Sequence, residues 1–243
     1  SVTDCGVSKN TVLLIDEMQN TGSLKMRINA MLDPSKDNIE YFVKDGKYKT
    51  NRLVVNTIKL FADGALGSRG ALLLDDYSDD QGNSGLQIAG QEYYDEICQL
   101  AYDNNFAIAT HAIGDSANRL MLNTYGKFLK GKNDRRWRIE HAQIIHPDDF
   151  GKFVKFTIVP SIQATHATSD MPWAEDRVGA ERIKGAYSYQ TLLSQLDWIP
   201  NGTDFPVDSI EPLYTFYSSV FRIDHQGWPK RGWRMEEGLS REQ

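Results

Sequence analysis

The chain has 243 residues and a net charge of -6, and two fifths of its residues are apolar. This composition supports a sizeable core and lacks the basic stripe that a nucleic-acid-binding protein needs. No apolar run reaches the roughly 18 residues that a membrane-spanning helix requires. The two cysteines, Cys5 and Cys98, are too few for a disulfide framework. We therefore expect a globular protein whose partner is a small molecule, with no nucleic-acid or membrane partner.

Apolar strand patterns alternate with amphipathic helix patterns along the chain. The predicted strands are Val2–Cys5, Lys25–Leu32, Leu53–Phe61, Phe106–Thr110, Trp137–Glu140, Ile158–Gln163 and Trp198–Gly202. The predicted helices are Thr11–Met18, Asn38–Lys44, Glu92–Asn104, Ala117–Leu129, Asp148–Val154, Ala180–Gln195 and Pro212–Phe221. Several strands are apolar on both faces, which is typical of buried parallel strands.

Seven strand–helix units in series predict an α/β fold with a parallel sheet, either doubly wound or a (β/α)8 TIM-type barrel. A barrel needs eight units and about 250 residues. Because the chain opens directly in a strand pattern, we expect its first unit to lie upstream, so that residues 1–243 form one barrel domain from strand 2 to strand 8. A leader could also precede the chain, so both a cytoplasmic and an exported location stay open.

Four chemically active residues stand where predicted strands end: Lys59, His111, His141 and Asp204. The carboxyl ends of barrel strands build the active site, so these side chains are expected to converge on one rim. Each histidine alone is typical of a hydrogen-bonded structural residue, and Asp204 before Phe-Pro is typical of a turn. Together the two imidazoles and the carboxylate predict a metal site.

Lys59 lies inside an apolar strand, where lysine is rare unless it is paired. One interpretation is an internal salt bridge to Asp63 or Glu140. The other is an amine whose pKa is lowered by burial, so that it reacts with carbon dioxide and forms a carbamate able to bridge two metals.

Two further residues are candidates for substrate binding. His166 follows the predicted seventh strand and could contact substrate or serve only as a structural loop residue. Arg69 lies in the glycine-rich run ADGALGSRGA, which lacks phosphate-loop spacing and is interpreted as a flexible active-site loop. We expect Arg69 to contact an anionic group of the substrate.

Five stretches resemble the amidohydrolase superfamily, and family 3 within it, whose members include N-substituted formamide deformylase-like proteins. They are KLFADGALGSRGALL, THAIGDSANR, RIEHAQIIHPDD, PSIQATHATSDMPWAEDR and GTDFPVDSIEPL. The resemblance runs from Val2 to the C-terminus. It implies a TIM-type barrel flanked by a small β-sandwich, whose segments this chain lacks.

The resemblance also implies a metal-ligand set. Lys59, His111, His141 and Asp204 match the family's residues after strands 4, 5, 6 and 8, which implies one or two divalent metals, expected to be zinc, and a carboxylated Lys59. The implied reaction is hydrolysis of a non-peptide C–N bond by metal-activated hydroxide, with Asp204 as general base and then acid. The family's His-x-His pair after strand 1 has no counterpart, because no two of the five histidines are separated by one residue. This 243-residue piece could therefore be inactive by itself.

Two alternatives use the same residues differently. A phosphoesterase or lactonase could use the same metal framework, because a fold does not fix a reaction. A regulatory or binding protein could retain the barrel without catalysis.

In every case a barrel without strand 1 should expose backbone edges, so we expect the chain to associate with itself.

Overall fold

The structure, a computed structural model, describes residues 1–243. Its strands are β1 Val2–Val7, β2 Ile28–Leu32, β3 Tyr48–Lys49, β4 Leu53–Phe61, β5 Ala107–Ala112, β6 Arg138–His141 and β7 Val159–Ser161. Its helices are α1 Lys9–Asn20, α2 Lys36–Asn38, α3 Gln91–Asp103, α4 Asp115–Phe128, α5 Phe150–Phe156, α6 Ala164–Asp170, α7 Ala174–Arg182, α8 Tyr189–Leu196 and α9 Pro212–Phe221. A π-helical turn, Ile39–Val43, extends α2, and 3-10 turns cover Pro147–Asp149, Ile183–Gly185 and Met235–Glu237.

The sheet follows the order β1-β2-β4-β5-β6-β7, and every neighbouring pair on this path is parallel. The short β3 adds to β4 in the antiparallel sense. Each long step between parallel strands passes through helical segments, as parallel connections require. The α/β fold with a barrel-type parallel sheet is confirmed.

The prediction of a last strand over Trp198–Gly202 is wrong. Only Asn201 forms a β-bridge, with Ile162, and its neighbours complete the contact: Ile162 N donates to Pro200 O and Gly202 N donates to Ile162 O, both at 2.9 Å. Two prolines shape the region, since Pro200 and Pro206 lack the N–H that a longer ladder would need. The segment nevertheless runs beside β7 at the position of an eighth strand.

The strand at the other end of the sheet, β1, pairs only with β2. Residues 2–5 are exposed, whereas the central β4 is buried along most of its length. The sheet therefore ends in an unpaired edge at β1.

The predicted helix Ala180–Gln195 is also wrong, because the chain breaks there into the end of α7, a 3-10 turn and α8. Gly185 explains the break. A side-chain carbon at this glycine would lie 2.1 Å from Ile145 O, so the backbone approaches too closely for any other residue. Ile145 N donates to Gly185 O, and Ala186 bridges to Ile144, so tertiary contacts override the helical pattern.

The main core lies between the sheet and the helices. Apolar side chains of α3 and α4 pack against β5, including Cys98 and Leu122. The hydroxyl of the fully buried Tyr125 lies 2.6 Å from Thr110 Oγ1, which satisfies both polar groups inside the core. In this chain, no helix combines the length and the apolarity needed to cross a membrane.

Candidate metal centre

The strand register places the predicted residues on one edge of the sheet. Phe61, the last residue of β4, is the register partner of His111 in β5, and Ala112 is the partner of His141, the last residue of β6. Lys59 lies two residues before the end of β4, so its side chain points to the same face as that of Phe61. A lysine and two histidines therefore lie near the carboxyl ends of three neighbouring strands, at one edge of the sheet.

Asp204 comes to this edge from the segment that follows the Asn201 bridge. Its side chain is 38% exposed. Its backbone φ is 53°, and that of His141 is 73°, a left-handed conformation that is uncommon for residues other than glycine.

His141, His166 and Asp204 form a compact group in which one ligand atom from each lies within 4.8 Å of the others. The three residues come from β6, from α6 and from the segment after residue 202. The set offers two imidazole nitrogens and one carboxylate oxygen, which are donors that zinc and other first-row divalent metals accept.

Both ring nitrogens of His166 face carboxylates. Nδ1 lies 2.7 Å from Asp208 Oδ2, and Nε2 lies 3.2 Å from Asp204 Oδ2. Burial disfavours the charged ring, but the hydrogen bonds to Asp204 and Asp208 outweigh it and raise the pKa of His166 to about 9. In the metal-free protein His166 is therefore an imidazolium between two acidic groups at neutral pH.

His141 has the opposite environment. Its side chain is buried, and its Nδ1 has no hydrogen-bond partner. Burial and then the neighbouring rings of His111 and His166 lower its pKa well below the ordinary value. A neutral, buried imidazole with an unpartnered nitrogen costs free energy unless another group satisfies it, and a metal is such a group. The residues present therefore fit a divalent metal.

His111 lies beside this group, with its ring centroid 4.5 Å from that of His141. Its Nε2 faces Asp63 Oδ1 at 3.4 Å and Gly64 O at 3.5 Å. The Asp63 carboxylate is fully buried and accepts hydrogen bonds from the backbone amides of Leu72, Ile113 and Gly114. Asp63 thus ties the end of β4 to the end of β5 beside His111.

Lys59 is 4% exposed, and no carboxylate oxygen lies within 4.0 Å of its Nζ. The internal salt bridge to Asp63 or Glu140 is therefore wrong: Asp63 bonds backbone amides, and Glu140 lies 2.7 Å from Arg138 Nε. Burial lowers the pKa of Lys59, partly opposed by the charge of Glu140.

Arg69 is engaged within its own loop. Its Nε and Nη2 donate to the two carboxylate oxygens of Asp79 at 3.1 and 2.9 Å. Asp79 also pairs with Arg177 of α7. The contact of Arg69 with substrate stays a prediction, and the structure shows a contact that holds the glycine-rich loop to α7.

Sequence reasoning missed α6 and two acidic residues. The stretch ATHATSD forms a helical turn whose first amide, Ala164 N, donates to Asn201 Oδ1 at 3.2 Å, and this contact brings His166 beside Asp204. Asp208 lies within the quoted motif GTDFPVDSIEPL, and its four-residue spacing from Asp204 was the available signal. Asp170 lies in PSIQATHATSDMPWAEDR, four residues after His166, but its contacts with Gln143 and Tyr187 carry no sequence signal.

Two imidazoles and a carboxylate lie together at the carboxyl ends of a parallel, barrel-type sheet. This arrangement is typical of barrel proteins with a metal-dependent active site. The chain belongs to the amidohydrolase family, whose sequence model matches residues 6–243.

Individual relatives agree with this assignment. The chain is 35% identical over 184 residues to the protein LONG AFTER FAR-RED 3 of Arabidopsis thaliana, covering 74% of this chain and 32% of that protein. It is 36% identical over 165 residues to the YtcJ protein of Bacillus subtilis (strain 168), covering 68% of this chain and 31% of that protein. A crystal structure of an uncharacterised metal-dependent hydrolase from Pyrococcus furiosus is 30% identical, with a TM-score of 0.81, over 98% of this chain and 49% of that one. The matched part therefore spans about a third of the curated relatives and half of the solved structure.

Proposed function

We propose that the complete protein is a metal-dependent hydrolase that cleaves a non-peptide C–N bond of the amide type in a small-molecule substrate. The observation that carries the proposal is the group of His141, His166 and Asp204, whose ligand atoms lie within 4.8 Å of one another. Membership of the amidohydrolase family supports the reaction class, and the name of YtcJ assigns that relative provisionally to the amidohydrolases.

The metal would be held by His141, His166 and Asp204, with His111 and Lys59 as further ligands on the same edge. Zinc is the expected ion, since it accepts histidine nitrogen and carboxylate oxygen and catalytic sites keep one position open. When bound, such a metal supplies Lewis acidity, which polarises the scissile carbonyl and makes hydroxide available near neutral pH.

Asp204 suits the proton-transfer step. Its carboxylate is the most exposed member of the group, so water and substrate can reach it. In the metal-free protein, His166 Nε2 contacts one of its oxygens at 3.2 Å, which keeps the carboxylate beside the two histidines. Asp204 would accept a proton from the attacking water and deliver it to the leaving amine, as general base and then general acid.

The experiment compares wild-type full-length protein with the Asp204→Asn variant on amide, lactone and phosphotriester substrates. We expect turnover of an amide, and a fall in kcat of about 10²–10⁴-fold in Asp204→Asn while zinc stays bound. Asp148→Asn is the matched control, because Asp148 is an exposed carboxylate 3.6 Å from a surface histidine, His146. Unchanged kcat in Asp204→Asn would remove the proton-transfer role, and turnover restricted to lactones or phosphotriesters would replace the C–N assignment.

A non-catalytic binding or regulatory barrel is the second candidate. An upstream segment without a His-x-His pair would favour it. A full-length protein that binds no zinc and turns over none of the three substrate classes would support this candidate.

A further inference from the structure

The shortest side-chain contact of His166 is with Asp208. The Oδ2 of Asp208 accepts a hydrogen bond from His166 Nδ1 at 2.7 Å, which is shorter than the 3.2 Å contact from Nε2 to Asp204. Both side chains are mostly buried, with 20% of Asp208 and 10% of His166 exposed.

The hydrogen bond fixes the orientation of the ring. With Nδ1 turned to Asp208, Nε2 is turned to Asp204 and the metal group. The ring also stacks on His141 with centroids 5.6 Å apart and planes 23° apart. A half-turn of the ring would keep its plane and the stacking but would place a carbon opposite Asp208, so the hydrogen bond to Asp208 selects the orientation.

We propose that Asp208 is a positioning residue: it holds Nδ1–H of His166 so that Nε2 presents a lone pair to the metal group. The part of this inference that concerns the metal rests on the proposed function. The orientation of the ring does not depend on it. Histidine ligands of metals generally donate their second nitrogen to a carboxylate or carbonyl, and that partner fixes the tautomer and makes the ligand nitrogen more basic. Asp208 would not touch the metal or the substrate.

A purely structural role would give a different pattern. Asp208 could serve only to fasten the segment after Asp204 onto α6. Its loss would then lower stability and leave the tautomer and the zinc affinity of the folded protein unchanged.

The first measurement needs no variant. Long-range ¹H–¹⁵N NMR spectra of the metal-free wild-type chain, recorded as the pH is raised until the His166 ring is neutral, report which nitrogen carries the proton. The His166 signals are assigned from their loss in His166→Gln. We expect Nδ1 to be protonated and Nε2 to be free, and an Nε2–H tautomer would overturn the proposal.

The second measurement compares zinc affinity in wild type, Asp208→Asn and the control Asp148→Asn by calorimetric titration, with circular dichroism to verify folding. We expect Asp208→Asn to bind zinc about 10–100-fold more weakly, as changes to such carboxylate partners do. Asp148→Asn should match wild type.

A zinc affinity of folded Asp208→Asn equal to that of wild type would overturn the proposal. A wild type that binds no zinc would instead overturn the proposed function, and the tautomer measurement would still decide the role of Asp208.

Discussion

The ammonium nitrogen of Lys59 lies 4.3 Å from the ring centroid of Phe61, two residues further along the same strand. The aromatic face compensates part of the cost of burying a cation, but less than a carboxylate would. Since burial lowers the pKa of Lys59, a larger fraction of the amine is neutral than in an exposed lysine. The neutral amine is the form that a reaction with carbon dioxide requires.

We predict that Lys59 forms a carbamate when zinc is present. Equilibration of the zinc-loaded full-length protein with ¹³C-bicarbonate should give a carbamate resonance in the ¹³C NMR spectrum, and Lys59→Met should abolish it. Lys152→Met is the control, because Lys152 is a lysine whose Nζ already lies 2.7 Å from Asp149. A zinc-loaded wild type without this resonance would exclude the carbamate.

Asp170 is the basis of a second prediction, on the pH dependence of stability. Its Oδ2 accepts hydrogen bonds from Tyr187 OH at 2.8 Å and Gln143 Nε2 at 3.2 Å, and the charges of His166 and Asp208 lie nearby. Burial raises the pKa of Asp170 from 3.8 to about 6. The folded state thus holds this proton more tightly than the unfolded state does.

The sign of the effect follows from linkage. Between pH 3.8 and about 6 the folded state binds the extra proton, so the free energy of unfolding falls as pH rises through this window. A shift of about two pKa units corresponds to about 3 kcal/mol. Asp170→Asn should lack this slope and be more stable than wild type above pH 6, measured by urea denaturation on both sides of that pH. Equal pH slopes in the two proteins would contradict the assignment.

The positions of most strands along the chain could be predicted, because apolar runs such as Leu53–Phe61 are typical of buried parallel strands, but their alternation with helices left a doubly wound sheet and a barrel open. The same applies to α9, whose predicted bounds, Pro212–Phe221, are confirmed. The break at Gly185 could not be predicted, because its cause is the carbonyl of Ile145, forty residues away.

Some features of the candidate site could be predicted from the sequence and others could not. The positions of His111 and His141 at strand ends followed from the strand pattern. The contacts of His166 did not, because they depend on Asn201 and Asp208 from a distant segment. Sequence periodicity carries no information about such pairs.

The unpaired edge of β1 leads to a third prediction. In a parallel pair, alternate amides bond to the same neighbour. Since Val2 N donates to Arg27 O beside β2, the amide of Thr3 faces the open edge. We expect the 243-residue chain to self-associate through this edge, and Thr3→Pro to reduce association, because proline removes the free donor without removing a bond to β2. Light scattering measures the mass, and a monodisperse wild-type monomer would contradict the prediction.

Zinc content shows whether His141, His166 and Asp204 belong to a metal site. Elemental mass spectrometry should be applied to the 243-residue chain, to a longer protein extended upstream, and to the longer protein with His141→Ala. After reconstitution with zinc and bicarbonate, we expect about one or two zinc ions per extended chain, fewer in the 243-residue chain, and a clear loss in His141→Ala. An extended protein that holds no zinc, or that holds the same amount with and without His141, would contradict it.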